Sequence, residues 1–540
     1  MALFASQAIT SSGEAITRRH YAKFFLVCLS YANLCFLNVW FSLQDRGYDF
    51  WRRDGVTWQT IVAITLDILI LACVAWGIVY VVLRTGHDRW IRLLKWCAIL
   101  ALLLPLNVLR TEEGLGSMQR LQIPSALSWR IVMVVVAVGL AILLLLNWQR
   151  FSTRVTTLLL ILMAPSMPLA LGSAVWQVIH APPGSRFPDK PLQPALPQPP
   201  DAARVIWVLF DEWDYDLTFP ERPAGISLPE VDRFRQKAFV ATRMLPPARM
   251  TIVSVPSLLT GKTYVSTEPK TPSEIMLTSV EGKPPVRLTA QDTIFTEARR
   301  RGFNVGIAGW YIPYCHLIPE CTTCSWQPAI ALSWGSQFEN PYSVPHLMKE
   351  ILLGLVKKIP LLGRMGLDLD TPANQRLHAL SYTQVRNDML RAIADPRLNL
   401  VYVHMNVPHP PALYDSSTDR ISTGHNISYL DNLRLVDRTV RDIRETLESA
   451  GLWDASTILL TSDHPLRVDR WPRDPAVRKG LKQHAEVPYL LKMPGQTQGL
   501  TYDRDAHEVV TKDLLLAILT KQVTTSQQVA AWFDAKPPYQ

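Results

Sequence analysis

Residues Ile61–Leu83 form an apolar run long enough to cross a bilayer. A hydrocarbon core asks for about 20 mostly apolar residues in helical form, because no water is present there to satisfy the backbone. Four more apolar stretches crowd the first third of the chain: roughly Phe24–Leu43, Leu93–Leu109, Ile131–Leu146 and Val155–Val175. The runs at Leu93 and Ile131 are short and lean on flanking residues. Pro165 and Pro168 predict a kink in the last, which membrane helices tolerate. A cleavable signal peptide fits poorly, since the first stretch is long and four follow. The expectation is a helical membrane domain of about five spans over residues 1–176.

Lysines and arginines in the short loops set its orientation. Arg18, Arg19, Lys23, Arg84, Arg89, Arg92, Lys95, Arg150 and Arg154 fall on one side; Arg46, Arg52, Arg53, Arg110, Arg120 and Arg130 fall on the other. Nine against six favours a cytoplasmic N-terminus, and five crossings then place everything after residue 176 outside the cell membrane. Residues 177–203 read as a linker, because HAPPGSRFPDKPLQPALPQPPD is too proline-dense for helix or central strand.

Beyond it, over 204–540, short β-rich runs alternate with helical patterns. Arg204–Phe210, Phe303–Ala308, Leu398–Val403, Ser456–Leu460 and Val487–Leu491 read as buried parallel strands, and Thr293–Arg301 and Ser428–Ala450 as amphipathic helices. Such alternation predicts an α/β domain with a mostly parallel central sheet. Ligands of such sheets bind beyond the carboxyl ends of the strands. There the sequence places Asp211-Glu212, then His404 and His409, then Asp463-His464, with His484 just before the last strand. Carboxylates and imidazoles collected from separate strand ends are a donor set for zinc or manganese. One such group means little, since an Asp after a strand is commonly a turn residue; four at one end of one sheet mean more.

The stretch RMTIVSVPSLLTG (Arg249–Gly261) adds a hydroxyl, Thr251, at the start of a short apolar helix pattern. Free N–H groups and the positive dipole end favour an oxyanion there, although Ser and Thr also cap helices for structural reasons. Net charge +9 suits an anionic membrane surface or anionic substrates. No Lys/Arg stripe interleaved with aromatics supports nucleic acid as a partner. Of seven cysteines, Cys28, Cys35, Cys73 and Cys97 lie in apolar runs and read as buried hydrophobes. Cys315, Cys321 and Cys324 (YCHLIPECTTC) read as one disulfide and a free thiol, with zinc the alternative; a disulfide requires an oxidising compartment. His346–Arg364 is basic and amphipathic, suited either to the lipid interface or to a surface helix broken at Pro360. Trp310, Trp334 and Trp471 either line the site or the membrane face, or belong to the core.

From about residue 204 the order of motifs resembles the alkaline phosphatase/sulfatase superfamily: VIWVLFDEW, TIVSVPSLLTG, GWY, HMNVPHPP, a long helix, TILLTSDH and HAEVPYLLKMPG. Sulfatases there carry a formylglycine precursor, Cys or Ser, at the position that Thr251 occupies, and threonine cannot be so oxidised. The threonine followed by Ser-Val-Pro, behind five spans, looks most like membrane-bound phosphoethanolamine transferases and lipoteichoic-acid-synthase-type enzymes. That resemblance implies Thr251 as acceptor of a phospho group. It implies Asp211 or Glu212, Asp463 and His464, with Thr251, as ligands of a divalent metal, zinc first and manganese, magnesium or calcium as alternatives. His404, His409 and His484 would hold a second metal or the substrate phosphate. The chain departs from the transferases in having Asp211-Glu212 for Gly-Glu, HPP for an HGP-type motif, and Pro465 after SDH.

The implied activity is transfer of a phosphoethanolamine or phosphoglycerol head group from a phospholipid to a lipid or glycan acceptor. The alternative is a membrane-anchored phosphodiesterase or phosphatase with water as acceptor. A catalytically dead recognition protein is a third reading, against which Thr251, Asp463 and His464 stand together. The expected location is the plasma membrane, multi-pass, with the catalytic domain on the outer (periplasmic or extracellular) side.

Overall fold

A computed structural model describes residues 18–44, 48–51, 58–101, 189–199, 201–328, 343–357, 372–422, 427–471 and 485–536, with isolated positions at 168–179 and 474–477. The chain divides into two compact units, and not at a single point: residues 46–54 group with the second unit and residues 339–369 with the first.

In the first unit, helices run over Arg18–Cys35, Leu37–Gln44, Trp58–Thr85, Asp88–Ala101 and Val344–Lys357. Trp58–Thr85, at 28 residues, is the one helix among the described residues long and apolar enough to cross a membrane. It packs on Arg18–Cys35 through Phe24, Cys28, Val79 and Leu83. Ile70, Val74, Ile78 and Val81 remain exposed, at spacings that share one helix face. The stretch expected at Phe24–Leu43 is interrupted at Phe36, where two helices meet. Most of the other three stretches lies outside the described residues, as do Trp334 and Pro360. One expectation is corrected: Cys28 and Cys35 are buried, but Cys73 and Cys97 are exposed. An apolar neighbourhood in sequence does not decide which face of a helix a residue occupies.

The second unit is built on an eight-stranded sheet. In chain order its strands are β1 (Arg204–Phe210), β2 (Phe239–Ala241), β3 (Val305–Tyr311), β4 (Thr323–Pro328), β5 (Leu400–Met405), β6 (Ser456–Ser462), β7 (Tyr489–Lys492) and β8 (Leu500–Tyr502). Their spatial order is β8-β2-β7-β6-β1-β5-β3-β4. All seven residues of β1 are buried, as a central strand covered on both faces requires. Val205, Trp207 and Leu209 enter one core with Leu258, Leu259 and Leu514. Ile206, Val208 and Phe210 enter the other with Tyr382, Met389 and Val436.

β1 pairs in parallel with β5 and β6, and β3 in parallel with β4 and β5. β7 is antiparallel to both β6 and β2, which corrects the expectation that its segment would run parallel. The cause lies in the chain before it. Residues 463–471 stay at the carboxyl end of β6, around the candidate site, so the next strand re-enters from that end and runs backwards. Both expected helices are present, as Ile294–Arg300 and Tyr429–Ser449, and their expected first residues are the caps: Thr293 accepts from Thr296 N, and Ser428 forms a capping box with Asp431. Pro372–Ala394 is a further helix that the sequence reading did not assign. Arg204, buried at the start of β1, donates to the Asp395 and Leu398 carbonyls at 2.7 and 2.6 Å just past this helix's C-terminal end, a favourable place for a cation.

Candidate active site

At the carboxyl edge of the sheet, register sets the site. Phe210 lies opposite Ser462, and Leu209 opposite His404. The residues one step past β1 and β6, Asp211 and Asp463, therefore leave neighbouring strands side by side. Glu212, with φ +64°, bends the chain there and donates its N–H to Asp463 Oδ1 at 3.3 Å. All three acids are fully buried.

Thr251 is the first residue of the helix Thr251–Thr260, after an extended Met250. The first N–H groups of a helix have no partner inside it. Pro256, inside this helix, cannot bond the carbonyl four residues back, and Thr267 Oγ1 donates to that Ile252 carbonyl at 3.0 Å instead. Ser254 Oγ donates to the Asp463 carbonyl at 2.5 Å, tying the helix to the β6 end. The Thr251 hydroxyl then lies 3.1 Å from His464 Nε2 and 3.4 Å from Asp211 Oδ2. His464 Nδ1 sits 2.9 Å from the Pro465 carbonyl. A carbonyl only accepts, so Nδ1 carries the proton and the Nε2 lone pair faces the hydroxyl.

Of the buried side-chain polar atoms that lack a hydrogen-bond partner among the described residues, three converge here: Asp211 Oδ1, Asp463 Oδ2 and His404 Nε2. His404 Nε2 is 3.7 Å from Asp211 Oδ2, and His464 Nε2 is 3.4 Å from Asp463 Oδ2. Donor atoms of Asp211, His404 and Asp463, and separately of Asp211, Glu212 and His464, lie within 4.8 Å of one another. Unpartnered buried carboxylate and imidazole atoms are costly unless a cation joins them, so the donor set fits a divalent metal. Burial and then Asp463 push the Asp211 carboxyl well above the ordinary range. Burial also drives His404 down to about 4, which keeps its ring neutral.

Glu212 is drawn away from this group. Its Oε1 accepts from Arg467 Nε, and its Oε2 from Trp471 Nε1 at 3.4 Å. Arg467 also donates to His409 Nε2 at 3.2 Å. His409 therefore faces Arg467 and Glu212 and not the Asp211–Asp463 pair. Buried Trp310 packs edge-on against His378, His404 and His409, with centroids 5.3, 6.1 and 5.1 Å away. The structure thus brings Asp211, Glu212, Thr251, His404, Asp463 and His464 together, with His409 beside them. His484 lies outside the described residues.

Sequence reasoning missed Arg467, His378, Tyr314 and Ser254. Ser254 lies inside RMTIVSVPSLLTG, Tyr314 opens YCHLIPECTTC and Arg467 follows His464 by three residues, so only His378 had no named motif beside it. At YCHLIPECTTC, Cys315 and Cys324 are joined in a disulfide and Cys321 is a buried free thiol, so two of the three zinc donors are taken.

An arrangement of this kind is a candidate metal centre beside a buried hydroxyl, at the carboxyl edge of an α/β sheet. The family model described as Sulfatase matches residues 204–522, and the chain belongs to that family. No curated protein matches the chain. Solved structures similar to it include a sulfatase from Pseudoalteromonas sp. (14% identity, 63% of this chain and 75% of that one, TM-score 0.40). A phosphonate monoester hydrolase of Agrobacterium radiobacter is 14% identical over 59% and 74% (TM-score 0.37). A protein in the alkaline phosphatase superfamily from Vibrio parahaemolyticus is 11% identical over 62% and 68% (TM-score 0.37).

Proposed function

We propose that the protein is a membrane-bound transferase that moves a phospho head group, phosphoethanolamine or phosphoglycerol, from a phospholipid to a lipid or glycan acceptor through a phospho-threonine. The observation that carries this reading is the Thr251 hydroxyl, 3.1 Å from His464 Nε2 and 3.4 Å from Asp211, at a helix N-terminus. Threonine excludes the formylglycine route and leaves a hydroxyl nucleophile in the same place.

Asp211, Asp463 and His464, with Thr251 and with His404 close by, would hold the divalent metal. When bound, it lowers the pKa of the attacking hydroxyl and neutralises charge on phosphoryl oxygens. Thr251 Oγ1 forms the new bond to phosphorus as the bond to the diacylglycerol oxygen breaks, and the proton lost by Thr251 balances the one gained by the leaving hydroxyl. An acceptor hydroxyl then attacks phosphorus and regenerates Thr251. The helix N–H groups and Arg467 supply positive charge toward the phosphoryl oxygens. Buried Trp310 and Trp471 hold His404, His409 and Glu212 in place.

A lipid donor is supported by the 28-residue apolar helix with its exposed Ile70, Val74, Ile78 and Val81. The outer side of the plasma membrane is supported by the Cys315–Cys324 disulfide, which needs an oxidising compartment. The test is incubation of the detergent-solubilised protein with head-group-labelled phosphatidylethanolamine or phosphatidylglycerol, followed by mass spectrometry of the Thr251 peptide. An adduct names the donor, and Thr251→Ala abolishes both adduct and turnover. Turnover that survives the substitution contradicts the nucleophile; label released to water without any acceptor product favours the hydrolase.

A further inference from the structure

Tyr314 plays no part in the chemistry above, yet its hydroxyl ends on the candidate ion site. Its side chain is fully buried. The oxygen lies 2.8 Å from His404 Nδ1 and 3.2 Å from Tyr402 Oη. Space for the ring comes from Gly309, where a Cβ would sit 2.3 Å from Tyr314 Cδ2. The next residue, Cys315, is bonded to Cys324 on β4, so the one-turn helix that carries Tyr314 is stapled to the neighbouring strand.

A histidine that binds a cation through one nitrogen carries its proton on the other, and the acceptor of that proton fixes the ring's tautomer and direction. His404 Nε2 has no partner among the described residues and lies 3.7 Å from Asp211 Oδ2. The geometry assigns Tyr314 as the positioning residue of this site: its hydroxyl accepts the His404 Nδ1 proton, leaves Nε2 unprotonated, and keeps it aimed at Asp211 and Asp463. Tyr402 Oη accepts the proton of Tyr314 in turn. The assignment rests on the reading of Asp211, His404 and Asp463 as cation ligands.

The experiment is a double-mutant cycle on the full-length, detergent-solubilised protein, stripped of metal and titrated with Zn²⁺ against a chromophoric chelator. Tyr314→Phe is expected to weaken Zn²⁺ binding by about 10- to 100-fold, as loss of a partner of a metal-bound histidine does elsewhere. In a His404→Ala background the same substitution should change affinity by less than about twofold, because its route is gone. Unchanged affinity in the single variant, an equal loss in both backgrounds, or a wild-type protein that binds no Zn²⁺ overturns the assignment; a purely structural tyrosine would give the equal losses. Should Tyr314→Phe not fold, Gly309→Ala displaces the ring with the hydroxyl retained and should weaken Zn²⁺ comparably, an unchanged affinity again counting against it. No lipid enters the cycle, so failure of head-group transfer by the wild type leaves this result standing.

Discussion

Asp211 and Asp463 set two fully buried carboxylates side by side, and the cost of that arrangement makes a pH prediction. Without an ion, burial and then Asp463 hold the Asp211 carboxyl well above the ordinary carboxylate range. A group whose folded pKa exceeds its unfolded value stabilises the fold fully below the unfolded pKa. That contribution is lost as pH rises through the folded pKa. The chelated protein should therefore lose thermal stability as pH climbs above the ordinary carboxylate range, and Asp211→Asn should flatten the slope. A divalent ion needs the ionised carboxylate, so its affinity should rise over the same pH range. At about 100 times its Kd it should add about 2.7 kcal/mol to the wild type. Thermal melts with and without chelator across that range check both statements, and an identical slope in Asp211→Asn would contradict the first. These two acids were legible in the sequence because each follows a β-rich run. The roles of Tyr314, His378 and Arg467 were not, even where a named motif lay beside them, because what marks each role is the residue touched, 90, 31 and 255 positions away.

Among the elements, the helix Thr251–Thr260 does two jobs at once: it presents the hydroxyl and braces the end of β6. Its pattern was readable as a helix start in TIVSVPSLLTG, and its C-terminal stop in Gly261, whose φ of +67° closes it in the left-handed region. The brace was not readable, since the Asp463 carbonyl that Ser254 meets lies 209 positions further along the chain. Ser254→Ala leaves that buried carbonyl without its partner and should cost about 1–3 kcal/mol. It should also slow head-group transfer while still permitting the Thr251 adduct. A thermal midpoint and turnover equal to the wild type's would show the bond to be idle. The direction of β7 was equally hidden, because an apolar run such as VPYLL fits a buried strand of either sense. Only the loop that precedes it, held at the carboxyl edge by Arg467 and Trp471, decides.

At the scale of the whole chain, the informative segment is short. Residues 46–54, between the helices Leu37–Gln44 and Trp58–Thr85, belong to the second unit and not to the first. Phe50 is fully buried in a core on one face of the large sheet, and the Trp51 ring lies 4.6 Å from that of Tyr311. The nine-to-six bias of lysines and arginines is the sequence's own argument for placing the second unit on the outer side of a membrane. That bias could be read from the sequence; the insertion of Phe50 could not, since YDFW carries no signal of its destination. The prediction concerns Lys283, whose side chain is 72% exposed in the second unit. A membrane-impermeant maleimide should label Lys283→Cys in intact cells as fully as after permeabilisation, above the background of the parent chain with its exposed Cys73 and Cys97. Labelling that appears only once the membrane is opened would put the site in the cytoplasm. It would then withdraw an outer-leaflet donor together with the oxidising surroundings that the Cys315–Cys324 bond calls for.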